Sequence, residues 1–369
     1  MGKILDWLKR SKAIYTLQDA DLFGTRLTGS GIDVNSKTAL KCTAVYAAVK
    51  VLAESIATLP LEVYQRRGGG KERYTSHPSY NLLHNSPNPE SDSFSSRESM
   101  MMHLLLYGNC FAEIEWSNSG IPLNLWLLLP DHVQIQRQSD NTLLYCVRDI
   151  VGNVSYITPD NIIHVKDLSY DTLFGLSRIT LLRESIGWSL ALEQFGNSFF
   201  GNGSTFGGFL VHPGKLSDNA KKNIRESLEL QHKGASKAFR FAVFEEGLEP
   251  KTLGIPPEQA QFIESRNFGI TDIARIFRIP PHMIGDLSKA TFSNIEQQSV
   301  EFVQYSLLPW MTRIEAEFNR KLFKSTDVFC EFNADGLMRG DTVTRYQSYA
   351  IGRQWGWLSV NDIRCRENI

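Results

Sequence analysis

The spacing of apolar residues changes period twice along the chain. In "TALKCTAVYAAVKVLAESIATLP" (38–60), Val45, Val49, Leu52 and Ile56 recur at helical spacing and Pro60 follows, so a helix is expected. "LEVYQRR" alternates like a strand, and Gly68-Gly69-Gly70 turns it. "RESMMMHLLLYG" (97–108) reads as a helix stopped by Gly108. The period then falls to two. In "FAEIEW" (111–116), Ala112, Ile114 and Trp116 alternate with Glu113 and Glu115, and Asn118-Ser119-Gly120 forms a turn. "HVQIQRQ", with Val133 and Ile135 on one face, "TLLYCVRD" and "NVSYITP" continue the alternation. Short strands joined by tight turns predict an antiparallel meander.

Helical spacing returns near residue 177. "SRITLLRESIGWSLALEQFGNSFFGNG" reads as one long helix, apolar over a wide arc and ended by glycines. A small α/β insert follows: a strand "GGFLVH", a helix "SDNAKKNIRESLELQHKG" capped by Ser217 with Gly234 past its end, and a strand "AFRFAVFEEG". A second long helix is expected over about 257–278, with Pro257 in its first turn. Its Ile263, Ile270 and Phe277 recur every seven residues with Ala274 between them, and Pro280-Pro281 forbids continuation. A polar stretch with Gly285, Lys289 and Thr291 leads to a third long helix, opened by a capping box in which the Ser293 hydroxyl takes the Glu296 N–H and the glutamate reaches back. Ile295, Phe302, Leu307, Trp310, Ile314, Phe318 and Leu322 give it one apolar face over roughly 45 Å. Pro309 removes a backbone bond and crowds the Tyr305 carbonyl, so a bend is expected near 305–309. A strand, "DVFCEFN", and helices at 341–352 and about 359–367 close the chain, with no internal repeat.

Composition narrows the class. The chain has 369 residues, 42% hydrophobic and 21% charged, enough for two or three cored domains. No run of about 18 apolar residues occurs, so no membrane helix is expected; the longest run, "LWLLLP" at 125–130, fits a strand. The basic, amphipathic start "MGKILDWLKRSK" lacks the core of a signal peptide, and Asp6 spoils a myristoylation motif at Gly2; residues 1–25 read as a flexible arm. Cys42, Cys110, Cys146, Cys330 and Cys365 are scattered, which argues against a zinc site or disulfide framework and for a reducing cytoplasm. Net charge is −1, without the basic excess of a protein that grips nucleic acid tightly.

Candidate chemistry is sparse. Metalloprotease, phosphate-loop and nucleophile-elbow motifs are absent, no two histidines sit one helical turn apart, and a lone His103 reads as a packed residue. "GNGSTFGG" (201–208) mimics part of a dinucleotide fingerprint but ends a helix and precedes a strand, the reverse of the required order. Glu113 and Glu115 read as a solvated strand face. Lys221, Lys222, Arg225, Lys233, Lys237 and Arg240 gather in the insert among Asp218, Glu226 and Glu229. On one molecule they form an ordinary soluble face; repeated around a ring they would form a basic band. Neither catalytic residues, a metal nor a cofactor is expected.

The stretch "IARIFRIPPHMIGDLSKATFSNIEQQSVEFVQYSLLPWMTRIEAEFNRKL" closely resembles the signature region of tailed-bacteriophage portal proteins of the HK97 type. "LKCTAVYAAVKVLAESIATLPLEVY", "HPSYNLLHNSPNP", "HLLLYGNCFAEI", "GGFLVHPGKLSD", "EFNADGLMRGD" and "GWLSVNDIR" follow in the family's order, so the resemblance covers nearly everything from residue 38.

The resemblance implies an α+β portal fold and a dodecameric ring at one capsid vertex, assembled in the host cytoplasm and carried in the virion. Double-stranded DNA would enter and leave through its tunnel; no membrane is involved, and the ATPase belongs to a separate motor. The implied map is a wing (26–176 with a kinked helix and strand returning at 294–340), stem helices (177–203 and 256–278), a clip (204–255), a tunnel loop (279–293) and a crown (341–369). Family members commonly run on past a segment like "NDIRCRENI", so a short or truncated crown is expected. Large terminase and then head–tail connector proteins would dock on the clip, whose basic residues would line the DNA entrance; major capsid and scaffold proteins would surround the ring. Asp286, Leu287, Ser288, Lys289, Ala290 and Thr291 would face the tunnel, with Lys289 as a cation at the loop tip. Pro280, Pro281, Ser293, Glu296 and Pro309 would shape that region. The rival readings are a non-ring DNA-binding or capsid scaffold protein, and a metal-dependent enzyme acting on nucleic acid; neutral charge and the lack of helix-turn-helix or zinc patterns disfavour the first.

Overall fold

The computed structural model describes residues 27–138, 140–149, 151–201, 208–211, 219, 222, 249–252, 259–287, 292–334 and 342–367. They belong to two compact units, one including Ala47–Leu181 and Phe277–Ile369, the other Gly24–Tyr46 and Leu182–Ile276. In chain order the elements are α1 (Ser36–Ala39), α2 (Thr43–Thr58), β1 (Leu61–Arg67), β2 (Gly70–Arg73), α3 (Pro78–His84), α4 (Ser93–Tyr107), β3 (Asn109–Trp116), β4 (Pro122–Leu128), β5 (Val133–Arg137), β6 (Leu143–Arg148), β7 (Val154–Ile157) and β8 (Ile162–Lys166). Then come α5 (Arg178–Leu181), α6 (Arg183–Gly201), β9 (Gly208–Val211), β10 (Glu249–Thr252), α7 (Gln259–Phe277), α8 (Phe292–Glu301), a π-helical segment (Phe302–Leu307), α9 (Leu308–Leu322), β11 (Val328–Phe332), α10 (Thr342–Gln354) and α11 (Val360–Glu367).

The first unit is built on three antiparallel sheets, ordered β11-β1-β2, β4-β3-β8 and β5-β6-β7. The expected meander is real for β5, β6 and β7, but β3 is not part of it. It lies centrally between β4 and β8, pairing Asn109 with Lys166 at one end and Trp116 with Pro122 at the other. This explains why β3 is not a simple two-faced strand: Ala112 and Ile114 are buried on one side and Phe111 is fully buried on the side of the glutamates. Phe111 joins Val133, Ile135, Tyr145, Ile157, Ile162 and Phe174 in one cluster shared by the two sheets. Glu113 is therefore half-buried, and burial raises its carboxyl; Glu115 is exposed and accepts from Asn124 (2.8 Å) and the Trp126 indole (2.9 Å).

Two expected helices are interrupted. Residues 38–60 form α1 and α2, because the Lys41 and Cys42 N–H groups reach back three residues, to Thr38 and Ala39, and so leave the α-helical ladder. Asn35 caps α1 with a reciprocal Thr38 bond. Val45, Val49, Leu52 and Ile56 are buried as their spacing requires. Likewise 177–203 divides at Leu182 into α5 and α6. The stop at Gly108 is a left-handed cap (φ 73°) in a position where a Cβ would strike the Leu176 carbonyl, so only glycine fits.

In the second unit α6 and α7 approach through small residues. Gly269 lies against Ser189, and Trp188 meets Phe268 edge to face at 6.3 Å. The N-terminal turn is tied to α6 by the Gly29 N–H bonded to Glu184 (3.0 Å) and by Gly187 packed on Thr28. The insert's β9 and β10 pair antiparallel; β10 was not anticipated. The expected helix at 217–234, with Ser217 and Gly234, and the strand "AFRFAVFEEG" lie outside the described residues apart from helical positions 219 and 222.

Candidate functional site

The end of α7 is set by its own chain. Phe277 is buried, Arg278 turns left-handed (φ 58°), and Ile279 is buried before Pro280 and Pro281. A left-handed arginine followed by two prolines cannot continue an α-helix. Pro281–Ile284 form one 3₁₀ turn, closed by the Met283 N–H on the Pro280 carbonyl (3.0 Å). Gly285 takes φ 93°, the Asp286 N–H returns to the Pro281 carbonyl (3.0 Å), and Leu287 is exposed. The segment leaves the helix in a fixed direction and presents a polar-then-apolar pair at its mouth.

The returning helix holds the base of this segment. The Ser306 hydroxyl, buried in the π-helical stretch, donates to the Arg278 carbonyl. The His282 Nδ1–H donates to Gln298 Oε1 on α8 (2.8 Å). The expected bend takes the form of a shifted ladder. Pro309 has no N–H for the Tyr305 carbonyl, and the Leu308 N–H reaches back five residues to Val303. Phe302, Ser306, Leu307, Trp310, Ile314, Phe318 and Leu322 all face inward.

Beyond the π segment, α9 is fastened to β8 by charge. Asp167, just past β8, accepts from Arg178 Nε (2.6 Å) and from Arg313 Nη1 of α9 (2.6 Å). Both guanidiniums also lie over the Trp310 ring, at 5.0 and 5.2 Å. Burial pushes the Asp167 carboxyl up, but hydrogen bonds and charge from Arg178, joined by Arg313, more than reverse this and hold it below the usual range. One turn further on, Glu317 pairs with Arg320 (2.7 Å) and accepts the His164 backbone N–H (3.2 Å). His164 itself is buried, stacked on Phe111 at 4.3 Å. The Asn109 amide donates to the Gly175 and Tyr107 carbonyls, so its oxygen must accept from His164 Nε2–H (3.0 Å), leaving Nδ1 to accept from the Tyr145 hydroxyl (3.2 Å). The neutral imidazole satisfies this network, and burial lowers its pKa well below the ordinary value.

Of the anticipated tunnel residues, Asp286 and Leu287 lie at the mouth of the segment, while Ser288, Lys289, Ala290 and Thr291 lie outside the described residues. Of the basic residues in the insert, Lys222 is helical and exposed; Lys221, Arg225, Lys233, Lys237 and Arg240 lie outside. Helix α8 begins at Phe292, one residue before Ser293, and the side chains of Ser293 and Glu296 lie outside the described residues. Pro280, Pro281 and Pro309 sit at the helix stop and the ladder shift. Sequence reasoning missed Ser306, His282, Gln298 and the Asp167 clamp. A serine three residues before the helix proline was a usable signal; the clamp joins residues over 140 positions apart and had none. Among the described residues no group of histidine, cysteine and carboxylate side chains is placed to hold a metal.

Comparison with known proteins decides the family. Residues 43–368 match the family described as phage portal protein. The chain belongs to the phage portal protein family. It is 33% identical over 357 residues to the probable portal protein of Streptomyces phage phiC31, covering 93% of this chain and 78% of that protein. It is 30% identical over 344 residues to the portal protein of Enterobacteria phage HK97, covering 91% and 80%. Among solved structures, an HK97 family phage portal protein from Corynebacterium diphtheriae shares the fold (TM-score 0.61, 19% identity, 82% of this chain and 96% of that one). So does a chain from the neck of the native gene transfer agent particle computed with C12 symmetry (TM-score 0.63, 21% identity, 99% and 97%). The portal fold is thus the α+β arrangement described above, and a phage portal function follows from the family.

Proposed function

We propose that this portal chain assembles as a closed dodecameric ring at one capsid vertex and serves as the conduit for double-stranded DNA during packaging and ejection. The carrying observation is the segment after α7, stopped by Pro280-Pro281 and anchored at its base by Ser306 and His282 between two long helices. Such a segment, repeated around an axis, lines a channel. Residues 286–291 face the DNA, with Lys289 as the guiding cation. In this reading 177–203 and 256–278 are the stem, 204–255 the clip that meets large terminase and later the head–tail connector, 26–176 with 294–340 the wing among capsid and scaffold proteins, and 341–369 the crown. The subunit lets DNA pass without catalysing its hydrolysis or that of a nucleotide, the ATPase belonging to a separate motor. The ring assembles in the host cytoplasm.

Charge supports sliding rather than gripping. Each phosphate contact adds affinity through counterion release, and a ring multiplies each contact. A chain of net charge −1 avoids that trap. Electron micrographs of purified protein classed for symmetry test the ring; a monodisperse monomer at every concentration and salt would overturn it. For the loop, Lys289→Glu should leave rings intact and reduce packaged or retained DNA, whereas wild-type packaging and retention would remove Lys289 from the channel lining.

A further inference from the structure

Two features of the first unit have no role in the account above. The first is a projecting aromatic. Tyr170, in the loop between β8 and α5, is 90% exposed, and Leu168 beside it is 65% exposed. This loop is held firmly. Asp171 Oδ1 accepts from the Leu173 and Phe174 N–H groups (2.9 and 3.0 Å) and from the Ser169 hydroxyl (3.1 Å). Lys166 donates to the Thr172 carbonyl (2.7 Å), and the Leu176 N–H to the Leu168 carbonyl (2.7 Å). Thr172 is β-branched yet left-handed (φ 62°), a conformation that costs free energy and persists where the surroundings impose it. A rigid loop offering a fully exposed tyrosine is the form of a preorganised anchor, which loses little entropy on docking.

The second feature is a cleft of about 230 Å³, walled by His77, Pro78, Ile121, Pro122, Phe323 and Lys324 among its lining residues. A cavity of about 150 Å³ already holds a benzene ring. Its walls are apolar and aromatic, with hydrogen-bond donors at hand. His77 Nδ1 accepts the Ser79 N–H (3.2 Å), so its proton sits on Nε2, and Lys324 supplies an exposed ammonium. The cleft has no carboxylate in its lining. A phenol, apolar in its ring and able to accept through its oxygen, suits it.

The sheet places knob and cleft apart. The Tyr170 loop follows β8 beside Asn109, at the start of β3, while Gly120–Pro122 follow the far end of β3. Eight residues of strand separate them by about 25 Å. A head-to-tail ring needs two different, complementary surfaces on opposed sides of one subunit. We infer that Tyr170 of each subunit inserts into the His77–Phe323 cleft of its neighbour; this rests on the ring reading above.

The test uses full-length protein with a photoreactive benzophenone amino acid at position 170, assembled from mixed light and isotope-labelled copies. Mass spectrometry should find cross-links from 170 of one copy to 77–78, 120–122 or 322–325 of another. Tyr170→Ser and Ile121→Asp, both at exposed positions, should each raise the concentration at which rings dissociate by about tenfold or more, and Tyr170→Phe by less. Rings that form with cross-links elsewhere, within one copy or to a different protein, or rings whose dissociation ignores both substitutions, would overturn the inference and leave the ring standing. Failure to form rings at all would overturn both.

Discussion

Replacing Arg97 by methionine should destabilise the fold by about 3 kcal/mol. Arg97 lies on α4 and is 8% exposed. Among the described residues its hydrogen-bond partners are carbonyl oxygens: Ala57, from Nε (3.2 Å) and Nη2 (2.9 Å), and Leu83, from Nη1 (3.1 Å). Ala57 is in the last turn of α2 and Leu83 in the last turn of α3, where carbonyls have no partner within the helix and the helix dipoles are negative. One guanidinium therefore closes two helix ends. Methionine keeps most of the side-chain volume but leaves both carbonyls buried and unbonded, at about 1–3 kcal/mol each. Relief from burying a cation without a carboxylate returns part of that, which gives the net figure. Lysine carries its three N–H donors on one nitrogen, without the spread of the guanidinium fork, so it can serve one of the two helix ends and should cost roughly half as much. Urea unfolding followed by near-ultraviolet circular dichroism, at fixed assembly state, reads the difference as a midpoint shift with unchanged slope. If Arg97→Met stays within about 0.5 kcal/mol of wild type, Arg97 is a space-filler and the double-cap argument is wrong.

Two further outcomes follow from buried charge. Asp167→Asn removes the carboxylate that Arg178 and Arg313 share beside Trp310 and should cost about 3 kcal/mol, at the low end for a broken buried pair because Arg313 is partly exposed; amide exchange in α9 should quicken, and unchanged exchange would refute the clamp. Acid should also weaken the fold before its carboxylates titrate. His103, its Nδ1 buried without a partner among the described residues, is pushed down by burial to about 4, and His164 lies well below its usual value. The unfolded chain then binds protons that the folded one refuses, so stability is full above about pH 6.5 and falls as pH drops, His103's share ending near 4. His103 should remove about 2 kcal/mol between pH 7 and 5, with His164 acting in the same direction, and His103→Leu should flatten that slope; an unaltered pH profile in the variant would count against it.

Legibility followed the range of the interactions. The inward face from Phe302 to Leu322, the stops at Gly108 and Pro280-Pro281 and the β5–β7 meander depend on neighbours a few residues away, and their patterns could be read directly. The breaks at Leu40–Cys42 and Leu182 could not, because apolar spacing continues across them while the backbone ladder does not. The bend at Pro309 was legible as a fault, but the bond from Ser306 in the π-helical stretch to Arg278, 28 positions away, was not. Asp167 with Arg313 and Arg97 with Ala57 are unremarkable charges in sequence; only packing reveals that they are buried. For the candidate site, the location of the segment after α7 was legible, and the hydrogen bonds at its base were not.

The antiparallel pairing of β1 with β11, Leu61 opposite Phe332, also sets a timetable for making the subunit. Roughly 270 residues of chain separate the partners, so at about 5–20 residues per second a ribosome needs tens of seconds to supply the second strand after the first has been made. Meanwhile Leu61 and Val63, both buried in the finished sheet, await their permanent neighbour. The last turns of α9 and the strand that completes this sheet must all be made before the sheet can close. A nascent chain that stops short of β11 lacks this closure, which delays a finished subunit surface until Phe332 has been made.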